Sequence, residues 1–143
     1  MEEKRIGIEI RILANLIGRC LNELGFNDDH NGVTGPQGLV LSYLYDHQDQ
    51  DIFQKDIEAT FNIRRSSATG LLQCLEGNGF IKRVSVDYDA RLKKIILTSK
   101  AVEFRELLES HIQKMEAILV KDLEPQEVDD LIRIIGKIKK NLE

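Results

Sequence analysis

Only one stretch of this chain abandons helical periodicity. From Phe80 to Thr98 it reads FIKRVSVDYDARLKKIILT, where Phe80–Val86 and Leu92–Thr98 have strand composition and the polar residues Asp87–Arg91 join them. A β-hairpin is the simplest reading, with Arg91 at its tip. Helices must supply the rest of the core.

Those helices are legible from spacing. Residues 4–26 place Ile6, Ile10, Leu13, Ile17, Cys20 and Leu24 alternately four and three apart, a heptad seam. Ile8, Ile12 and Leu16 add a second stripe, so this helix is too apolar for the surface of a monomer and requires cover on two sides. Asn27–Gly32 is a turn-rich break. Thr34 and Gln37 then have the spacing of a capping box, and Pro36 suits a first helical turn, so a second helix is predicted from about residue 35. FQKDIEATF is a short third helix with Ile57 and Phe61 inward, and Asn62 makes the turn. RRSSATGLLQCLE restarts the periodicity with Ala68, Leu71, Leu72 and Leu75 on one face, and Gly77-Asn78-Gly79 stops it. Beyond the hairpin, residues 99–121 form a long helix. Pro125 breaks the pattern before a last amphipathic helix lined by Val128, Leu131, Ile132, Ile135, Ile138 and Leu142. The expected fold class is mainly α with a small β-hairpin (α+β).

Charge adds a second constraint. The 143-residue chain carries a net charge of −4, which opposes binding to a polyanion if spread evenly. It is not spread evenly: residues 62–94 hold seven basic side chains against three acidic ones. A basic island on an acidic body is the footprint of a local polyanion contact. No apolar run approaches the roughly 20 residues needed to cross a bilayer, and the N-terminus lacks a secretory core, so a cytoplasmic location is expected. Cys20 and Cys74 lie far apart without a paired motif, which argues against a disulfide framework.

Two short helices joined by a tight turn, with polar and basic residues opening the second, form a helix-turn-helix, and a hairpin directly behind makes it winged. The second helix fits a DNA major groove, with Arg65, Ser66, Thr69, Gly70 and Gln73 opposite its apolar face and Ser66, Ser67 and Thr69 apt for phosphates or bases. Arg64, Lys82 and Arg83 extend this basic surface, Lys93 and Lys94 suit phosphates, and Arg91 suits a narrow minor groove. Such units also serve as protein-interaction modules, and a lysine-rich hairpin is also how an edge strand is protected.

The residues resemble the MarR family of winged helix-turn-helix transcriptional regulators. Asp89-Ala90-Arg91 followed by Leu97-Thr98 is similar to the family's wing, and Leu75-Glu76-Gly77-Asn78-Gly79-Phe80-Ile81-Lys82-Arg83 to the end of its recognition helix. The resemblance implies one domain over 1–143, with 34–98 as the DNA-binding lobe and 1–33 and 99–143 as dimerisation helices. It implies a homodimer, a repressor of pseudo-palindromic operators, released by a small-molecule effector, with Asp89 bracing the lobe and Arg91 reaching the minor groove. Two departures stand out: Arg64 replaces the usual helix-capping residue, so that the recognition helix either starts a residue away or is capped by Asn62, and Tyr88 replaces the wing-tip proline. The alternatives are a dimeric interaction module without DNA binding, or a thiol-based redox sensor.

The resemblance implies, as in many relatives, a small phenolic or other organic anion as effector, for which Arg19, Tyr43, Tyr45 and His111 are the candidates, with ordinary packing as the competing reading. Cys20 is the redox candidate, set against its role as a small hydrophobe in the seam. His30, His47 and His111 show no metal-ligand spacing, and the loop from Asn27 resembles a calcium loop but has Gly38 at the twelfth position. No catalytic motif and no cofactor are implied.

Overall fold

A computed structural model describes residues 3–23 and 33–143. The loop from Asn27, with His30, and Leu24 of the heptad seam lie outside the described residues. The elements run α1 (Ile6–Glu23), α2 (Gly35–Asp46), α3 (Gln54–Phe61), α4 (Arg65–Gly77), β1 (Ile81–Val86), β2 (Asp89–Leu97), α5 (Ser99–Val120) and α6 (Pro125–Leu142). The chain divides into two compact units, one running to His111 and one from Ile112 to Glu143.

In the first unit the expected capping box forms. The Thr34 hydroxyl accepts the Gln37 N–H at 3.4 Å while the Gln37 side chain accepts the Thr34 N–H. The α2 side chains Val40, Leu41 and Leu44 then enter the core with Ile57 of α3 and Ala68, Leu72 and Leu75 of α4. Phe61 and Leu71, both expected inward, are only half-buried. Asn62 takes the left-handed conformation (φ +50°) at the end of α3, which a short polar side chain tolerates. It therefore closes α3 and does not cap α4, whose N-cap is Arg64 with no side-chain cap bond.

β1 and β2 pair antiparallel from Ile81↔Leu97 to Ser85↔Lys93, and then the register jumps to Val86↔Asp89. Three residues, Ala90–Leu92, bulge out of the ladder. The connecting turn is thus only Asp87-Tyr88, and Arg91 sits in the bulge, not at the tip. Bulges of this kind re-aim a side chain away from the pleat. The Ile95 N–H also donates to the Ile52 carbonyl at 2.7 Å, which ties β2 to the segment before α3.

Thr98 fastens the base of the hairpin. Its N–H donates to the Phe80 carbonyl at 3.0 Å, its hydroxyl donates to the Gly79 carbonyl, and that hydroxyl also accepts the Ala101 N–H at 3.3 Å. Gly79 has φ +81°, a backbone shape that favours glycine and turns the chain from α4 into β1. Lys100 donates to the Asn78 carbonyl at 2.7 Å and lies over the Phe80 ring. The Tyr45 hydroxyl donates to the Ala101 carbonyl, joining α2 to α5.

α1 buries none of its residues in this single chain. Ile6, Ile8, Ile10, Ile12, Leu13 and Leu16 are 45–63% exposed. In the second unit, Pro125 opens α6 where the Glu127 carboxylate accepts the Glu124 N–H at 2.9 Å. Leu131, Ile132, Ile135 and Leu142 of α6 are exposed.

Candidate nucleic-acid interface

The outer face of α4 follows from its inner one. With Ala68, Leu72 and Leu75 buried, helical spacing turns Arg65, Ser66, Ser67, Gly70 and Gln73 to solvent, where all are exposed. Thr69 departs from this set. It is half-buried, and its hydroxyl accepts from Gln54 Nε2 at 2.9 Å, so it faces α3. Because α4 has no side-chain cap, its first-turn N–H groups remain available beside the exposed Arg64 and Arg65.

α3, α4 and the hairpin enclose a groove of about 510 Å³ that contains Lys55, Arg65, Arg83, Arg91 and Lys93, with Gln54, Thr69 and one carboxylate, Glu58. Five cations from three elements that are separate in sequence thus line one concavity. Lys55 and Gln54 were not among the sequence candidates. Their signal was positional: they open the first helix of the helix-turn-helix, the one that crosses the DNA backbone in such motifs.

Arg91 is held from within the bulge. Its Nε and Nη2 donate to the Asp89 carboxylate at 3.2 Å each, and its backbone N–H donates to Asp89 Oδ1 at 2.9 Å. The Arg91 side chain is nevertheless 89% exposed. Hydrogen bonds from the Arg91 side chain, and then from its backbone, hold the Asp89 carboxyl below its ordinary value of 3.8, with Lys55 adding to the effect. Two other cations are engaged by acids: Lys94 with Asp51 at 3.7 Å and Arg83 with Glu76 at 3.5 Å. Lys82 is exposed on β1.

Asp51 also accepts the Tyr88 hydroxyl at 3.0 Å, and the Tyr88 ring meets Phe53 edge-on at 6.4 Å between centroids. Partial desolvation, the Asp51 hydrogen bond, and the charges of Asp51, Asp56 and Asp89 raise the Tyr88 phenol above its ordinary value.

The four effector candidates are not brought together. Arg19 lines an open depression of about 670 Å³ with Asn15, Asn22, Thr34 and Gly35. Tyr43 instead stacks on His47 at 4.1 Å, Tyr45 lies under Arg105, and His111 is buried. Cys20 is half-exposed on α1, Cys74 is exposed on α4, and both are free thiols. Among the described residues no three His, Cys, Asp or Glu side chains cluster as metal ligands. No described helix is long and apolar enough to cross a membrane.

Residues 31–92 match the model of the MarR family. The chain is 25% identical over 112 residues to the HTH-type transcriptional repressor YetL of Bacillus subtilis (strain 168), a match covering 78% of this chain and 66% of YetL, just under two thirds of that protein. Among solved structures it resembles S. aureus MepR in a DNA complex, at 26% identity and a TM-score of 0.85 with 97% of each chain covered. It also resembles the transcription regulator MarR from Oenococcus oeni PSU-1, at 25% identity and a TM-score of 0.77, covering 95% of this chain and 99% of the other.

Proposed function

We propose, for a chain that belongs to the MarR family of winged-helix transcriptional regulators, that it binds double-stranded DNA as a homodimer and represses transcription from pseudo-palindromic operators. The observation that carries this is the groove in which Lys55, Arg65, Arg83, Arg91 and Lys93 converge beside the exposed face of α4. α4 enters the major groove, where Arg65 and Gln73 have donors suited to guanine and adenine edges and Ser66 and Ser67 suit phosphates or bases. The uncapped start of α4, with Arg64, Lys55 and Lys93, takes backbone phosphates. Arg91 leaves the hairpin through its bulge toward the minor groove, whose narrow form concentrates negative potential.

Homodimerisation through residues 1–33 and 99–143 is supported by α1, on which Ile6, Ile8, Ile10, Ile12, Leu13 and Leu16 stay exposed among the described residues. A partner copy supplies the missing cover. The same reading places the regulator in the cytoplasm with the chromosome. It has a small organic anion release the DNA, with the depression beside Arg19 as the place for it.

The test is the salt dependence of binding to a pool of genomic fragments. Phosphate neutralisation makes log affinity fall linearly with log salt, by about 0.9 per phosphate contacted. A steep slope supports the regulator reading and yields the operator by selection. If no fragment binds in a salt-sensitive way, the chain is an interaction module and the regulator reading is wrong.

A further inference from the structure

We infer that Asp51 and Tyr88 form a latch that pins the wing to the start of α3 and so positions Arg91 for DNA, a role that rests on the DNA-binding reading above. Arg91 cannot position itself. Its polar partner, Asp89, lies two residues away in the same bulged strand, so their hydrogen bonds fix the guanidinium relative to the wing but not the wing relative to α4. A two-stranded hairpin with a three-residue bulge needs an external hold at its far end, because an isolated hairpin is marginal in water. At the near end the holds are the Thr98 bonds to the α4–β1 turn and the Ile95–Ile52 backbone bond. At the far end the hold is Tyr88, one of only two residues in the turn.

Three contacts converge there from the segment preceding α3. Asp51 Oδ2 accepts the Tyr88 hydroxyl at 3.0 Å, Asp51 Oδ1 faces Lys94 Nζ at 3.7 Å, and the Phe53 ring meets the Tyr88 ring edge-on. Phe53 is itself almost fully buried, and its N–H donates to Asp56, so the anchor belongs to the rigid start of α3. Tyr88 is 66% exposed, too exposed for its conformation to be explained by core packing. One Asp51 carboxylate serves both the turn, through Tyr88, and the middle of β2, through Lys94. The wing is thereby referenced to the same helix that carries Lys55 into the groove.

Tyr88→Phe is the clean perturbation, since it removes the hydroxyl, keeps the ring against Phe53 and leaves the charge facing DNA unchanged. Hydrogen exchange on the full free chain reports the latch without DNA. The wing amides from Val86 to Lys94 are expected to exchange about fivefold faster in Y88F, as for loss of one hydrogen bond, and to stay within about twofold of the parent in D51N, whose amide oxygen still accepts from the phenol. Unchanged wing exchange in Y88F overturns the latch, whatever happens on DNA. A double-mutant cycle on a duplex recovered from the genomic selection reports the positioning. Y88F is expected to weaken binding about three- to tenfold when Arg91 is present and less than about twofold in an R91A background. Equal losses in both backgrounds overturn the positioning role. A parent protein that binds no duplex overturns the regulator reading and the positioning with it, and the exchange measurement then decides the latch alone.

Discussion

Replacing Arg91 by alanine tests the interface at its most exposed cation. With its side chain 89% exposed and its polar contacts confined to Asp89, the variant is expected to fold and dimerise like the parent. On DNA the loss is larger. An arginine contact in a groove is worth about 1–3 kcal/mol, and a symmetric dimer loses two of them, so affinity should fall by about 2–6 kcal/mol, or at least 30-fold. The effect has a second source, because removing the guanidinium bares the Asp89 carboxylate to phosphate. Asp89 is a depressed acid: its contribution is present above the ordinary value of 3.8 and is lost as pH falls through the lower folded value, so the bared group is ionised in any neutral assay. The double variant R91A/D89N should therefore recover part of the loss, and R91K less than the parent's affinity, since lysine keeps the charge without the fork. Fluorescence anisotropy of the selected duplex between about 50 and 200 mM salt measures all three. Affinity of R91A within twofold of the parent across that range would refute the placement of the wing on DNA.

Thr98→Val removes a hydroxyl that both caps α5 and bonds the α4–β1 turn, so it should cost about 2 kcal/mol and lower the melting midpoint by roughly 6–10 °C, read by circular dichroism. Tyr45 has its phenol pushed up to about 12, by burial first and with Glu109 adding while Arg105 opposes. That stabilisation is present below pH 10 and is lost as pH rises through about 12, so phenolate absorbance should show a step near pH 12 that disappears in Y45F, and Y45F should cost about 1–2 kcal/mol at neutral pH. Leu13→Asp places a carboxylate in the apolar face of α1, where Leu13 is 49% exposed. Sedimentation should then show monomers at concentrations where the parent is dimeric, and an unaltered dimer would remove α1 from the interface.

Helix positions were legible because each α-helix here carries its own signal. The Thr34/Gln37 box, the buried spacing of Ala68, Leu72 and Leu75, and Gly79 with its positive φ all specify local structure through neighbours within a few residues. Arg91 was misplaced because a bulge is not a local signal. Composition showed two strands and a polar joint, but which polar residues pair depends on how Asp89 folds back on Arg91 and where Tyr88 is pinned, and the pinning partner is 37 residues away. Thr69 was misassigned for the same reason: period 3.6 puts it near the outer face, and only the packing of α3 brings Gln54 to it. Lys55 was missed because a charge count over one segment cannot see a groove assembled from three.

The apparent paradox of a DNA-binding surface on an acidic chain resolves in how the local acids are used. Asp51, Glu76 and Asp89 each face a cation, Lys94, Arg83 and Arg91 in turn, so they orient charge as much as they cancel it. Among the described residues Lys55, Arg64, Arg65, Lys82 and Lys93 are held in no ion pair and are available to phosphate, with Lys55 also acting on Asp89. Those five with the exposed Arg91 make six cations per chain and twelve in the proposed homodimer, which bounds the salt slope at about −11 if every one meets a phosphate. The value is smaller if cations outside the cavity, Arg64 and Lys82, miss the phosphates. A slope much steeper than the bound would require Arg83 and Lys94 to leave Glu76 and Asp51 on binding. For Lys94 that means leaving an Asp51 carboxylate that still accepts the Tyr88 hydroxyl, so the salt slope can steepen while wing exchange stays unchanged.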